Sequence, residues 1–188
     1  MIWGIVTYIP YDIIFKSSFL SNYNITMASL SIRGENMTFQ ADDGWNTPAY
    51  AWKAIAHLIP ENKVIWEAFL LNNTSSKSLE SLRDLGFPTI GDHTIDFFNA
   101  DFGDIIVSNC PYSIKKKIFE RLALLDKPFI LILPIATISK QFVKCLKRDL
   151  VQLIIPAKRM HFEKEDIESK RAWFDTCYFC YKMNLPND

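Results

Sequence analysis

Asp104-Ile105-Ile106-Val107-Ser108-Asn109-Cys110-Pro111-Tyr112-Ser113 is the stretch on which the reading of this chain turns. Its apolar run spells a buried strand, and the strand stops at an amide, a rigid proline and an aromatic ring. Those three groups suit the holding of a flat, nitrogen-bearing ligand at a sheet edge. Outward from it, residues 63–69 (KVIWEAF) and 88–91 read as earlier strands. Residues 129–133 (FILIL) form an uninterrupted apolar run of the kind found where both sheet faces are covered, and 151–155 and 174–183 are again strand-like. Helical spacing fills the gaps at 75–85, closed by Gly86, at 113–125 and at 138–146. This alternation predicts an α/β domain with a largely parallel sheet. The polar stretch between Ile155 and Phe174 carries no crossover-helix pattern, so the last strand is expected to return antiparallel.

The chain has 188 residues, 49% of them apolar, which suffices for one substantial core. Residues 1–36 mix aromatic, β-branched and Ser/Asn residues without sustained periodicity. They read as a poorly ordered N-terminal extension to a single domain at 37–188, from which no separate target-recognition domain can be carved. No 18-residue uncharged apolar run and no basic leader is present, so a soluble, intracellular, cytoplasmic protein without a membrane partner is expected. Cys177 and Cys180 form a C-x-x-C pattern, but on a strand residues three apart point to opposite faces. No metal site is expected there, and the four cysteines read as small buried apolar groups in a reducing compartment.

Net charge is zero but unevenly spread. Residues 35–113 carry eleven acids against four bases, and residues 114–171 carry fourteen bases against seven acids. The basic half suits a polyanion, and it equally suits solvated helix faces.

Asn109-Cys110-Pro111-Tyr112 resembles the Asn-Pro-Pro-Tyr motif of S-adenosylmethionine-dependent amino-methyltransferases, with Cys110 in place of the first proline. The resemblance implies a Rossmann-like class I methyltransferase fold, a mostly parallel seven-stranded sheet with one antiparallel strand near the edge. Other segments follow in family order. Trp45-Asn46-Thr47-Pro48 resembles the segment that closes over the methionine end of the cofactor, although locally Thr47 also reads as a helix N-cap and Pro48 as the first helical residue. Glu67 and Phe69 match the strand end beside the cofactor amino-acid moiety. The family's turn glycines are replaced by Leu70-Leu71-Asn72-Asn73, where Asn72 or Asn73 can supply the bend. Asp92 matches the acid that accepts from ribose hydroxyls, and Asp96 with Phe97 and Phe98 matches the element that reads the adenine, although locally 91–94 equally reads as an ordinary loop and 96–98 as a surface turn with buried phenylalanines. Downstream, Phe162 is implied to pack the target base against Tyr112, with Lys158 and Arg159 meeting backbone phosphates.

The chemistry implied is methyl transfer to the N6 amine of adenine in DNA. Asn109 and the Cys110 carbonyl would accept hydrogen bonds from the amine, Pro111 would fix the loop and Tyr112 would stack on a flipped or single-stranded base. The same motif serves enzymes acting on ribosomal or transfer RNA bases and on protein glutamine. A different class, a nucleic-acid-binding protein on a degenerate methyltransferase fold, also accommodates Cys110 and the glycine-free turn. Sequence recognition by so short a chain would rest on loops at 155–174 or on a partner protein.

Overall fold

The computed structural model describes residues 4–6, 46–70, 77–164, 167–171 and 174–186. The strands are β1 (Gly4–Val6), β2 (Ile65–Trp66), β3 (Thr89–Ile90), β4 (Ile105–Asn109), β5 (Phe129–Pro134), β6 (Val151–Ile155), β7 (His161–Lys164), β8 (Ile167–Arg171) and β9 (Thr176–Tyr181). The helices are α1 (Ala49–Ile55), α2 (Lys77–Asp84) and α3 (Lys115–Leu125).

The fold is α/β. Six strands form one mixed, mostly parallel sheet in the order β3-β2-β4-β5-β9-β6. Neighbours from β3 to β5 are parallel. β9 is antiparallel to both β5 and β6, so β9 alone is reversed within this set. The connection between β6 and β9 holds the small β7–β8 hairpin in place of a crossover helix, as the polar composition of 156–173 anticipates. β1 lies antiparallel along β6; the remainder of the expected N-terminal extension falls outside the described residues.

Strands β2, β4, β5, β6 and β9 divide their side chains between two cores. Along β5, Ile130 and Ile132 join α1 and α2 residues such as Trp52, Ile55 and Leu82, while Phe129, Leu131 and Leu133 join Ile118, Phe119 and Leu122 of α3. The period of two places one core on each face, giving three layers. Cys177 stands opposite Leu133 and Cys180 opposite Ile130, so the two thiols fall on opposite faces. Burial pushes the Cys177 thiol up to about 12.

Local chemistry explains most boundaries. Gly86, at φ +88°, follows α2 as a glycine should. α3 instead ends on Asp126 at φ 48°, a left-handed aspartate anchored by Lys182 (2.7 Å) and by the Tyr181 hydroxyl (2.9 Å). Two expectations need correction. Helix α1 begins after Pro48, which at φ −68°, ψ 146° is the extended cap residue, and Thr47 makes no capping hydrogen bond. Residues 138–146 do not form one helix: 3-10 turns at Ile135–Ser139 and Gln141–Cys145 are separated by Lys140 at φ −77°, ψ 141°.

Among the described residues, no helix is long and apolar enough to cross a membrane, and no group of three or more His, Cys, Asp or Glu side chains converges to hold a metal.

Candidate functional site

The carboxyl ends of β2, β3 and β4 form one edge of the sheet, and Phe69, Asp92, Asp96 and the Asn109–Tyr112 turn follow those strand ends in the chain. At its centre, β4 emerges from the core at Asn109, which is half-buried. Cys110 is buried again, and Pro111 at φ −62°, ψ 124° sets up a 3-10 turn over Tyr112–Ile114. That turn folds the ring back on the strand end. The Tyr112 hydroxyl donates to Asn109 Oδ1 at 3.1 Å, so one lone pair of the amide oxygen is engaged and the other is left for a second donor. The Lys115 ammonium lies 5.2 Å from the Tyr112 ring centroid.

The second aromatic ring at this site is Phe174, edge-on to Tyr112 with centroids 5.6 Å apart. Phe162, expected in that role, is 5% exposed and belongs to the core on the α1 and α2 face, whereas Tyr112 packs against the α3-side core. Burial of an apolar ring on the β7–β8 hairpin takes Phe162 inward. Phe174 reaches the edge because β9 is antiparallel, which puts the start of β9 beside the end of β5, one strand over from β4. That consequence of strand direction was the only signal for Phe174 in the sequence.

Glu67 directly follows β2 and turns inward. Only 2% of the residue is exposed, and its carboxyl group accepts hydrogen bonds from the Ser78 hydroxyl of α2 and the Ser108 hydroxyl of β4. Trp52 Nε1 of α1 donates to the same Ser78 oxygen at 2.9 Å. Burial raises the Glu67 carboxyl to about 7, opposed by hydrogen bonds from Ser108, Ser78 and the Phe69 backbone. The side chain expected to touch a cofactor therefore acts from beneath the edge, tying β2, β4 and two helices together.

Beside it, the Asn46 backbone exchanges hydrogen bonds with Glu163 of β7 (2.7 and 3.0 Å), and Lys77 at the start of α2 pairs with the Glu163 carboxylate at 2.8 Å. Trp45 lies outside the described residues, as do Asn72 and Asn73 of the glycine-free turn. Thr47 is 1% exposed, and its hydroxyl has no hydrogen-bond partner among the described residues. An unpaired buried hydroxyl costs about 1–3 kcal/mol, so the isosteric Thr47→Val is expected to leave stability to urea unchanged or raised.

Farther along the edge, Asp92 is exposed and accepts from both the backbone and the hydroxyl of Thr94, each at 2.8 Å. The backbone hydrogen bond and then the hydroxyl hold its carboxyl below the usual range. Asp96 accepts from the Phe98 backbone at 2.9 Å and from Asn99 Nδ2 at 2.5 Å, so it organises the 96–100 turn. Phe97 is buried, 4.6 Å from the Phe69 ring and 5.5 Å from Trp66 by centroids. This contact joins the turn after β3 to the end of β2. On the β7 side, Lys158 is exposed, and Arg159 donates to Asp175 at 2.7 Å. That exposed pair is worth little and can be exchanged for another anion.

The acceptors reachable along this edge, the exposed Asp92 carboxylate and the half-buried Asn109 amide oxygen, suit a ligand with hydroxyl or amine donors. In protein-family models, curated proteins and solved structures, no match to this chain is found.

Proposed function

We propose that the protein transfers a methyl group from S-adenosylmethionine to the N6 amine of adenine in DNA. The observation that carries this reading is the end of β4, where Asn109 Oδ1 is oriented by the Tyr112 hydroxyl beside the Tyr112–Phe174 ring pair. The sheet order, with the last strand reversed between β5 and β6, supports a class I methyltransferase fold, the finer description that the motif resemblance implies.

The amine of adenine is a poor nucleophile because its lone pair is delocalised into the ring. Asn109 Oδ1 and the Cys110 carbonyl would accept from it, turning the nitrogen toward tetrahedral geometry. Catalysis then comes from orientation and electrostatic placement. Tyr112, with Phe174 at its edge, would hold the base plane, and stacking of this kind contributes about 1–3 kcal/mol per base. The bound cofactor supplies an electrophilic sulfonium methyl. Asp92 would accept from its hydroxyl groups, with Asp96 shaping the adjoining turn. The exposed Lys116 and Lys117 in the first turn of α3 follow closely on Tyr112 and suit a phosphate backbone, as does Lys158. Sequence preference would come from the β7–β8 hairpin or from a partner protein.

The test incubates the protein with methyl-labelled S-adenosylmethionine and separate pools of unmethylated DNA, RNA and protein. Label recovered as N6-methyladenine from DNA is the expected result. Transfer only to RNA moves the substrate class, transfer only to protein overturns the nucleic-acid reading, and the absence of cofactor binding in a titration overturns the enzyme.

A further inference from the structure

We infer that Glu67 is a positioning residue for Asn109: its buried carboxyl group, tied to Ser108 on β4 and to Ser78 on α2, fixes the strand end from which the Asn109 amide emerges. The inference rests on the reading of Asn109 as the acceptor for the substrate amine.

Three observations lead to it. Glu67 is buried at a site where a carboxylate is costly unless its hydrogen bonds are specific. Its two hydroxyl donors come from different elements, and one of them, Ser108, directly precedes Asn109 in the chain. Trp52 completes a chain of contacts from α1 through Ser78 and Glu67 to β4, so the edge that gathers the site is braced from below by one connected polar network.

Ionisation of this group should therefore be felt at Asn109. The charged side chains nearest in sequence to the elements packed on it are engaged or directed elsewhere. Lys77 beside Ser78 pairs with Glu163, Asp104 at the other end of β4 accepts from the Val64 backbone, and Asp92 past β3 is exposed in its own turn. Lys53 of α1 and Glu80 of α2 are exposed. The causes of the carboxyl's shift are burial and the hydrogen bonds of Ser108, Ser78 and Phe69.

The experiment has two arms on the full chain. In the first, the assigned backbone amide resonance of Asn109 is followed against pH. It is expected to titrate with a midpoint near the Glu67 value of about 7, and Glu67→Gln, which keeps the side-chain shape, should abolish that titration. A resonance that does not move, or that still moves in the Glu67→Gln variant, overturns the inference. In the second arm, Ser108→Ala is expected to lower single-turnover methyl transfer by about 10- to 100-fold, with cofactor affinity unchanged within about twofold. Ser78→Ala, in the same network but not on β4, should lower transfer far less. Equal losses in the two variants would mark the network as structural only and overturn the positioning role. Should the resonance titrate as expected while the wild-type protein transfers no methyl group, the link from Glu67 to Asn109 stands and the proposed reaction falls.

Discussion

Asn109→Ala is expected to lower methyl transfer by at least about 100- to 1,000-fold while leaving cofactor affinity within about twofold of wild type. The size follows from what the side chain would do. Its Oδ1 is the preorganised acceptor for a nitrogen that gains positive charge as its lone pair leaves the ring, and an alanine methyl offers nothing in its place. Asn109 stands at the end of β4 and is half-buried, so truncation leaves no large cavity and the fold should survive. Tyr112→Phe separates orientation from stacking. It keeps the ring beside Phe174 and removes only the hydroxyl that donates to Asn109 at 3.1 Å. A loss of about tenfold is expected, because the amide becomes free to turn its nitrogen toward the substrate. Single-turnover transfer measured beside equilibrium cofactor binding checks both variants. Preserved transfer in the Asn109→Ala variant would remove Asn109 from the chemistry.

What the sequence made legible, and what it hid, divides by how local the cause is. β5 could be read because residues 129–133 are apolar without interruption, and the structure buries that strand on both faces. The reversal of β9 followed from a polar connection with no helix to carry a crossover. Thr47-Pro48-Ala49 misled, since it spells a cap and a first-turn proline, yet Thr47 is drawn into the interior and Pro48 stays extended. Residues 138–146 have helical spacing, but the extended backbone at Lys140 splits the turns. The aromatic partner of Tyr112 could not be found by spacing at all. It depends on which face of β7 carries Phe162 and on where an antiparallel strand begins. Glu67 was legible as a strand-end acid, but the direction of its carboxyl group was not. Its donors lie 11 and 41 residues away, and no local pattern encodes a contact made through a parallel sheet neighbour.

Glu67 also makes a prediction about stability. Its folded value of about 7 stands above the ordinary 4.5, and burial is the leading cause. For a group raised on folding, the stabilisation is fully present below the unfolded value and is lost as pH rises through the folded one. Between about 4.5 and 7 the unfolded chain ionises while the folded chain holds its proton, so stability should fall by about 1.4 kcal/mol per pH unit, reaching a total of about 3 kcal/mol. Glu67→Gln should remove that component, making the variant the more stable protein at about pH 8. Urea unfolding of both proteins across this range checks it, and their difference cancels every other titrating group. Asp126, pulled down to about 2 by Lys182 and then Tyr181, acts with the opposite sign and only in stronger acid. Parallel slopes for the two proteins would mean that Glu67 is ionised at no cost. Ionisation in the folded chain, near pH 7, strengthens the hydrogen bond from Ser108, because a charged acceptor holds a hydroxyl more firmly than a neutral one. The brace on Asn109 should therefore tighten as pH rises through about 7, above the range in which most of the stability is lost, so that the transfer rate should climb where the stability curve has nearly levelled.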